Sequence, residues 1–88
     1  MNDSNKVINY IKQKELQVGD EINLSELTKE FSDFIKKNNI TLNTETAKSD
    51  IAHTVRGALE TLKNNNYIEK VNPKNDGLHK VIVASNMW

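Results

Sequence analysis

The strongest constraint on this chain is a helical apolar stripe followed, after a run of asparagines, by two β-branched segments. Ile51, Val55, Ala58, Leu59 and Leu62 fall within an arc of roughly 100° at helical periodicity. Burying the four large side chains of that stripe contributes about 1.5–3 kcal/mol each before entropy is subtracted. Asn64-Asn65-Asn66 then ends the helix, because asparagine tolerates the left-handed conformation just past a helix end. Thr44 or Thr46 offers the cap at the other end. Downstream, Tyr67–Val71 and Leu78–Ala84 read as a hairpin around Asn72-Pro73-Lys74-Asn75-Asp76-Gly77. Pro73 cannot donate to a strand ladder, and Asp76-Gly77 is expected to form the tight turn.

Two further helices precede this unit. The first is expected from about Ser4 to Lys14, capped by Asp3 or Ser4, with Val7, Ile8 and Ile11 on one stripe and Tyr10 at its margin. Gly19-Asp20 marks a turn, and Glu21–Leu24 alternates as a very short strand. Ser25 then stands at an expected N-cap, with Glu26 facing the positive end of the helix dipole. Leu27, Phe31, Phe34 and Ile35 recur at helical spacing, and Asn38-Asn39 stops the helix near Lys37. A sheet of two or three strands cannot stand alone, so it must pack on the helices. The 88 residues therefore make one α+β, mainly α domain, with its core over about 5–84 and an aperiodic tail at 85–88.

Composition excludes several classes. The chain has no cysteine, which removes disulfide frameworks and thiolate metal sites and fits a cytoplasmic location. No apolar run approaches the ~18 residues of a membrane span, and the start lacks the apolar core of a signal peptide. His53 and His79 are the two histidines; they fall on different elements, and no metal-ligand spacing is present. Gly19, Gly57 and Gly77 are the three glycines, so no phosphate-cradling loop exists. Nothing points to an activated nucleophile, so neither an enzyme nor a cofactor is expected. The formal net charge is zero, but residues 1–34 carry four lysines against seven acids, a balance of −3. Residues 35–88 carry seven lysines and one arginine against five acids, a balance of +3. Any nucleic-acid surface is thus expected in the second part.

The order helix, strand, helix, helix, strand, loop, strand resembles the winged helix-turn-helix superfamily of bacterial, archaeal and phage regulators. The stretch Thr54-Val55-Arg56-Gly57-Ala58-Leu59-Glu60-Thr61-Leu62 running through Lys63 and the asparagines into Tyr67-Ile68-Glu69-Lys70-Val71 looks like the end of a recognition helix entering a first wing strand. Ile22-Asn23-Leu24-Ser25-Glu26-Leu27 is similar to the family's junction of strand and second helix. The resemblance spans roughly residues 5–84. It departs from the family at Asn66, where glycine is usual, and in the long segment between Phe34 and Ile51.

The resemblance implies a third helix in the major groove of double-stranded DNA and a wing on the backbone. The candidate contacts are Lys48, Ser49, His53, Thr54, Arg56 and Gly57 on the helix, with Lys74, Asn75, His79 and Lys80 on the wing. Arg56 suits a bidentate contact to guanine, and Ser49 or Thr54 suits phosphate or a base edge. Gly57 reads equally as a close approach to a partner or as close packing against another helix. Asp50 and Glu60 on the same face oppose phosphate. The family's habit of dimerising implies a homodimer contact through Val7, Tyr10, Met87 and Trp88. The expected role is a small homodimeric transcriptional regulator. The alternative is a protein-interaction module that does not bind DNA, favoured by the zero net charge and the single arginine.

Overall fold

Each helix is set by the stripe it buries and by how its ends are satisfied. The computed structural model describes residues 3–40 and 48–88, with the backbone alone at 48–50 and 76. In chain order the elements are α1 (Asp3–Gln13), β1 (Glu21–Asn23), α2 (Leu24–Lys37), α3 (Lys48–Asn64), β2 (Ile68–Asn72) and β3 (Asn75–Val81), followed by a 3-10 turn at Ser85–Met87. Among the described residues this is an α+β fold, mainly helical, with three α-helices and one antiparallel sheet in the order β1-β3-β2. The expected caps Thr44 and Thr46 lie outside the described residues, as does the connector 41–43.

The helix ends follow local chemistry closely. Asn39 and Asn66 stand at φ 53° and 63°, the left-handed conformation that asparagine tolerates. Ile40 donates its N–H to the Ile35 carbonyl at 2.9 Å, and Tyr67 donates to the Leu62 carbonyl at 3.0 Å. Both closures are Schellman motifs, each pairing an apolar residue beyond the cap with one in the last turn. The start of α2 corrects the expectation for Ser25. Its N-cap is Asn23, whose side-chain oxygen accepts from the Glu26 N–H at 3.0 Å. Strand β1 thus hands directly into the helix, with Ser25 inside its first turn. Asp3 and Ser4 both fall within α1, and the Asp3 carboxylate sits 3.5 Å from the Lys6 ammonium.

The hairpin is tighter than expected. Asn72 pairs with Asn75, so Pro73-Lys74 is the turn and Asp76-Gly77 belongs to β3. The Asn72 side chain accepts from the Lys74 N–H at 3.0 Å, and proline fixes its own φ near −65° as the first central residue of a turn. That local device outcompetes the Asp-Gly pair. β3 stops at Val81, because the next two N–H groups, Ile82 and Val83, both donate to the Tyr67 carbonyl.

The core lies between the helices and one face of the sheet. Val7, Ile11, Phe31, Val55, Ala58, Leu59 and Leu62 are buried with Ile22, Ile68 and Val81 of the strands. Tyr10, Phe31 and Phe34 gather at ring separations of 4.6–6.3 Å. The last residues are also part of the packing rather than a tail. Ser85 is wholly buried, its hydroxyl accepting from the Leu16 N–H at 2.9 Å, while its own N–H donates to the Leu16 carbonyl at 2.9 Å.

Candidate nucleic-acid interface

Helix α3 buries Ile51, Val55, Ala58, Leu59 and Leu62, and this fixes which residues it turns to solvent. His53, Arg56 and Glu60 are exposed and Thr54 is half-buried. Glu60 holds Lys63 one turn on, with Nζ to Oε1 at 3.1 Å, so much of its negative field is compensated locally. The side chains of Lys48, Ser49 and Asp50 lie outside the described residues.

Gly57 belongs to helix packing rather than to a partner contact. A Cβ built there would lie 3.4 Å from Ser4 Oγ of α1. That is an ordinary van der Waals separation, so position 57 faces α1 and the packing there does not demand a glycine.

On the hairpin, Lys74 and Asn75 are exposed, and the Asn75 side-chain oxygen accepts from the Gly77 N–H at 2.7 Å. His79 does not belong with them. It is 3% exposed and lies opposite Ile22 and Lys70 in the ladder. Alternation along β3 turns His79 and Val81 to the same face, and Val81 is core. Lys80 faces outward but stands across from Glu21 on one side and Glu69 on the other, opposite charges at cross-strand distance. A bound phosphate would compete with two carboxylates for it.

The expected homodimer contacts are mostly absent from the surface. Val7 is fully buried, since it shares the inner stripe of α1 with Ile11 and cannot meet a second copy. Tyr10 is half-buried among Phe31 and Phe34. Trp88 stacks on Tyr67 at 6.0 Å and 12°, and its indole N–H donates to the Val83 carbonyl at 2.6 Å. Met87, 69% exposed, is the member of the four that is open surface.

Two clefts adjoin α3. A small one of about 50 Å³ is lined by Arg56, Leu59, Glu60 and His79. A wider one of about 580 Å³ lies between α2 and α3, with Ile35, Ile40 and Ile51 on its floor and Lys29, Asp33 and Lys36 at its edge. Among the described residues, His, Asp and Glu form no group of three that could hold a metal ion, and no helix is long and apolar enough to cross a membrane. Sequence reading missed Asn23 and Ser85 as caps. It also missed the Glu60–Lys63 pair, although the i,i+3 spacing that produces it is visible in the chain. Comparison with protein families, with curated proteins and with solved structures yields no match.

Proposed function

We propose that the chain is a winged helix-turn-helix domain that binds double-stranded DNA, with α3 in the major groove and the β2–β3 turn beside the backbone. The observation that carries this proposal is the solvent face of α3, where His53 and Arg56 are open and Glu60 is engaged by Lys63. The order of elements and the sheet order β1-β3-β2 support it, because they follow α3 directly with an antiparallel hairpin. Arg56 would read a guanine edge, and Lys74 would meet phosphate. Transcriptional regulation is the role such binding implies. Pairing of two copies would need a surface other than Val7 and Trp88.

A second function, docking onto another protein, is favoured by one specific observation. Lys80 is bracketed by Glu21 and Glu69, so the outer sheet face offers phosphate little net field. Fluorescence anisotropy with mixed-sequence duplex DNA at about 50 and 200 mM salt separates the two functions. With Lys74 neutralising one phosphate, binding weakens about three- to fourfold across that fourfold change in salt. An absence of binding at the lower salt removes the DNA proposal and leaves protein docking.

A further inference from the structure

We infer that Glu60 is a specificity-determining residue that accepts from the amino group of a cytosine while Arg56 reads a guanine. The DNA taken by α3 then carries the two bases within about two base pairs of each other. This rests on the DNA proposal and gives that same site its sequence class. A carboxylate on a DNA-facing helix has only acceptors to offer, so phosphate cannot be its ligand. A base edge that presents a donor can be.

The helix sets the two side chains side by side. At 3.6 residues per turn, His53, Arg56 and Glu60 fall within an arc of about 60°, opposite the buried stripe of Ile51, Val55, Leu59 and Leu62. Arg56 and Glu60 also line one narrow cleft. They stand four residues apart, close enough to pair, yet the Glu60 carboxylate takes Lys63 instead, with Nζ to Oε1 at 3.1 Å. Helices favour the pair whose acid comes first in the chain, and Glu60–Lys63 has that order where Arg56–Glu60 does not. The guanidinium is thereby left for guanine O6 and N7. Lys63 compensates the Glu60 charge at Oε1, while Oε2 accepts from no protein donor among the described residues. The Glu60 side chain is 56% exposed, so this acceptor is open to a partner. In the major groove cytosine presents an amino donor with no acceptor of its own beside it. Guanine and thymine present acceptors, and adenine sets an acceptor next to its amino group. Cytosine is therefore the base edge that an acceptor-only side chain suits. Four residues of helix rise about 6 Å, close to two base-pair steps of about 3.4 Å, which places the cytosine near the guanine of Arg56.

The test selects duplexes from a randomised pool at about 50 mM salt, using the intact chain, Glu60→Gln and Lys63→Met, and sequences what each retains. Wild type is expected to enrich a guanine and a cytosine within about two base pairs of each other. Glutamine pairs with adenine N6 and N7, so Glu60→Gln should lose the cytosine preference by about fivefold or more and move it to adenine, with the guanine unchanged. Lys63→Met should keep the cytosine preference and bind every sequence more weakly, because the carboxylate then meets the phosphates uncompensated. Urea unfolding of the Glu60 variant should match wild type, the side chain being exposed. Tighter binding of Glu60→Gln to all sequences, with every base preference unchanged, would make Glu60 a mere repeller of phosphate and overturn the inference while leaving the DNA proposal standing. Retention of no duplex by wild type or either variant overturns the DNA proposal and the inference with it.

Discussion

Replacing Ser85 with alanine is expected to destabilise the domain by about 2 kcal/mol, although the residue lies three positions from the end of the described chain. The reason is geometric. Helix α1 ends with Glu15 in the left-handed region, at φ 53°, and its Glu15 N–H closes on the Lys12 carbonyl at 3.2 Å. The next N–H, that of Leu16, does not return to the helix as it does after α2 and α3. It donates instead to Ser85 Oγ at 2.9 Å. Alanine removes that acceptor and strands a part-buried donor, at a cost of about 1–3 kcal/mol. The hydroxyl's own contact with the Lys12 carbonyl, at 3.5 Å, is too long to add much. With a urea m-value near 1 kcal/mol/M for a domain of this size, the unfolding midpoint should fall by about 2 M. Hydrogen exchange should show the Leu16 amide losing protection first. Thr61→Ala is the control, because its exposed hydroxyl only returns to the Gly57 carbonyl of its own helix, at 3.1 Å. A Ser85→Ala midpoint indistinguishable from that of Thr61→Ala would refute the cap.

Three further substitutions probe separate links. Glu15→Gly should stabilise by about 0.5–1 kcal/mol, since a left-handed residue with a Cβ carries roughly 1 kcal/mol of strain; thermal unfolding should rise by a few degrees. Gly57→Ala should be neutral or stabilising by up to about 0.8–1.0 kcal/mol from helix propensity, because its Cβ would meet Ser4 Oγ at ordinary contact distance, 3.4 Å. Clear destabilisation would mean that α1 and α3 cannot yield there. Arg56→Ala, on an exposed position, should leave urea unfolding unchanged and cost about 1–3 kcal/mol at one base pair in a DNA titration; equal loss across all sequences would assign Arg56 to phosphate.

Periodicity carried the helices, because a stripe repeating every three or four residues leaves few choices about what is buried. The Asn39 and Asn66 closures were legible for a similarly local reason, the rare tolerance of asparagine for positive φ. The hairpin was harder. Two turn-forming signals, Pro73-Lys74 and Asp76-Gly77, lie within five residues, and only cross-strand pairing of Asn72 with Asn75 selects the first. That choice sets the register, and register decides faces. Once Val81 points inward, alternation sends His79 inward and Lys80 outward, so the misreading of His79 as a surface contact came from treating hairpin residues as wing surface without following the alternation. Ser85 carried no readable signal at all. Its worth depends on an amide donor 69 positions away in sequence, and no local pattern encodes that.

The charge split along the chain was legible, but folding interleaves its two parts, and that gives a prediction of its own. The acidic first part and the basic second part are not separate surfaces once folded. Strand β1 brings Glu21 beside Lys80, and β2 brings Glu69 to its other side, while Lys63 is held by Glu60. Arg56 and Lys74 are then the exposed cations of α3 and the hairpin turn with no carboxylate partner among the described residues. Phosphate binding through so few charges has a shallow salt dependence. A double Glu21→Gln, Glu69→Gln variant leaves the ladder hydrogen bonds intact and removes the two carboxylates that stand opposite Lys80. If the outer sheet face lies near the DNA backbone, affinity at 50 mM salt should rise and the slope of log K against log salt should steepen by about 0.9, one additional phosphate. Tighter binding with an unchanged slope would mean that only long-range repulsion was relieved. No change in either quantity would exclude the sheet face from the interface and confine any DNA contact to α3 and the turn.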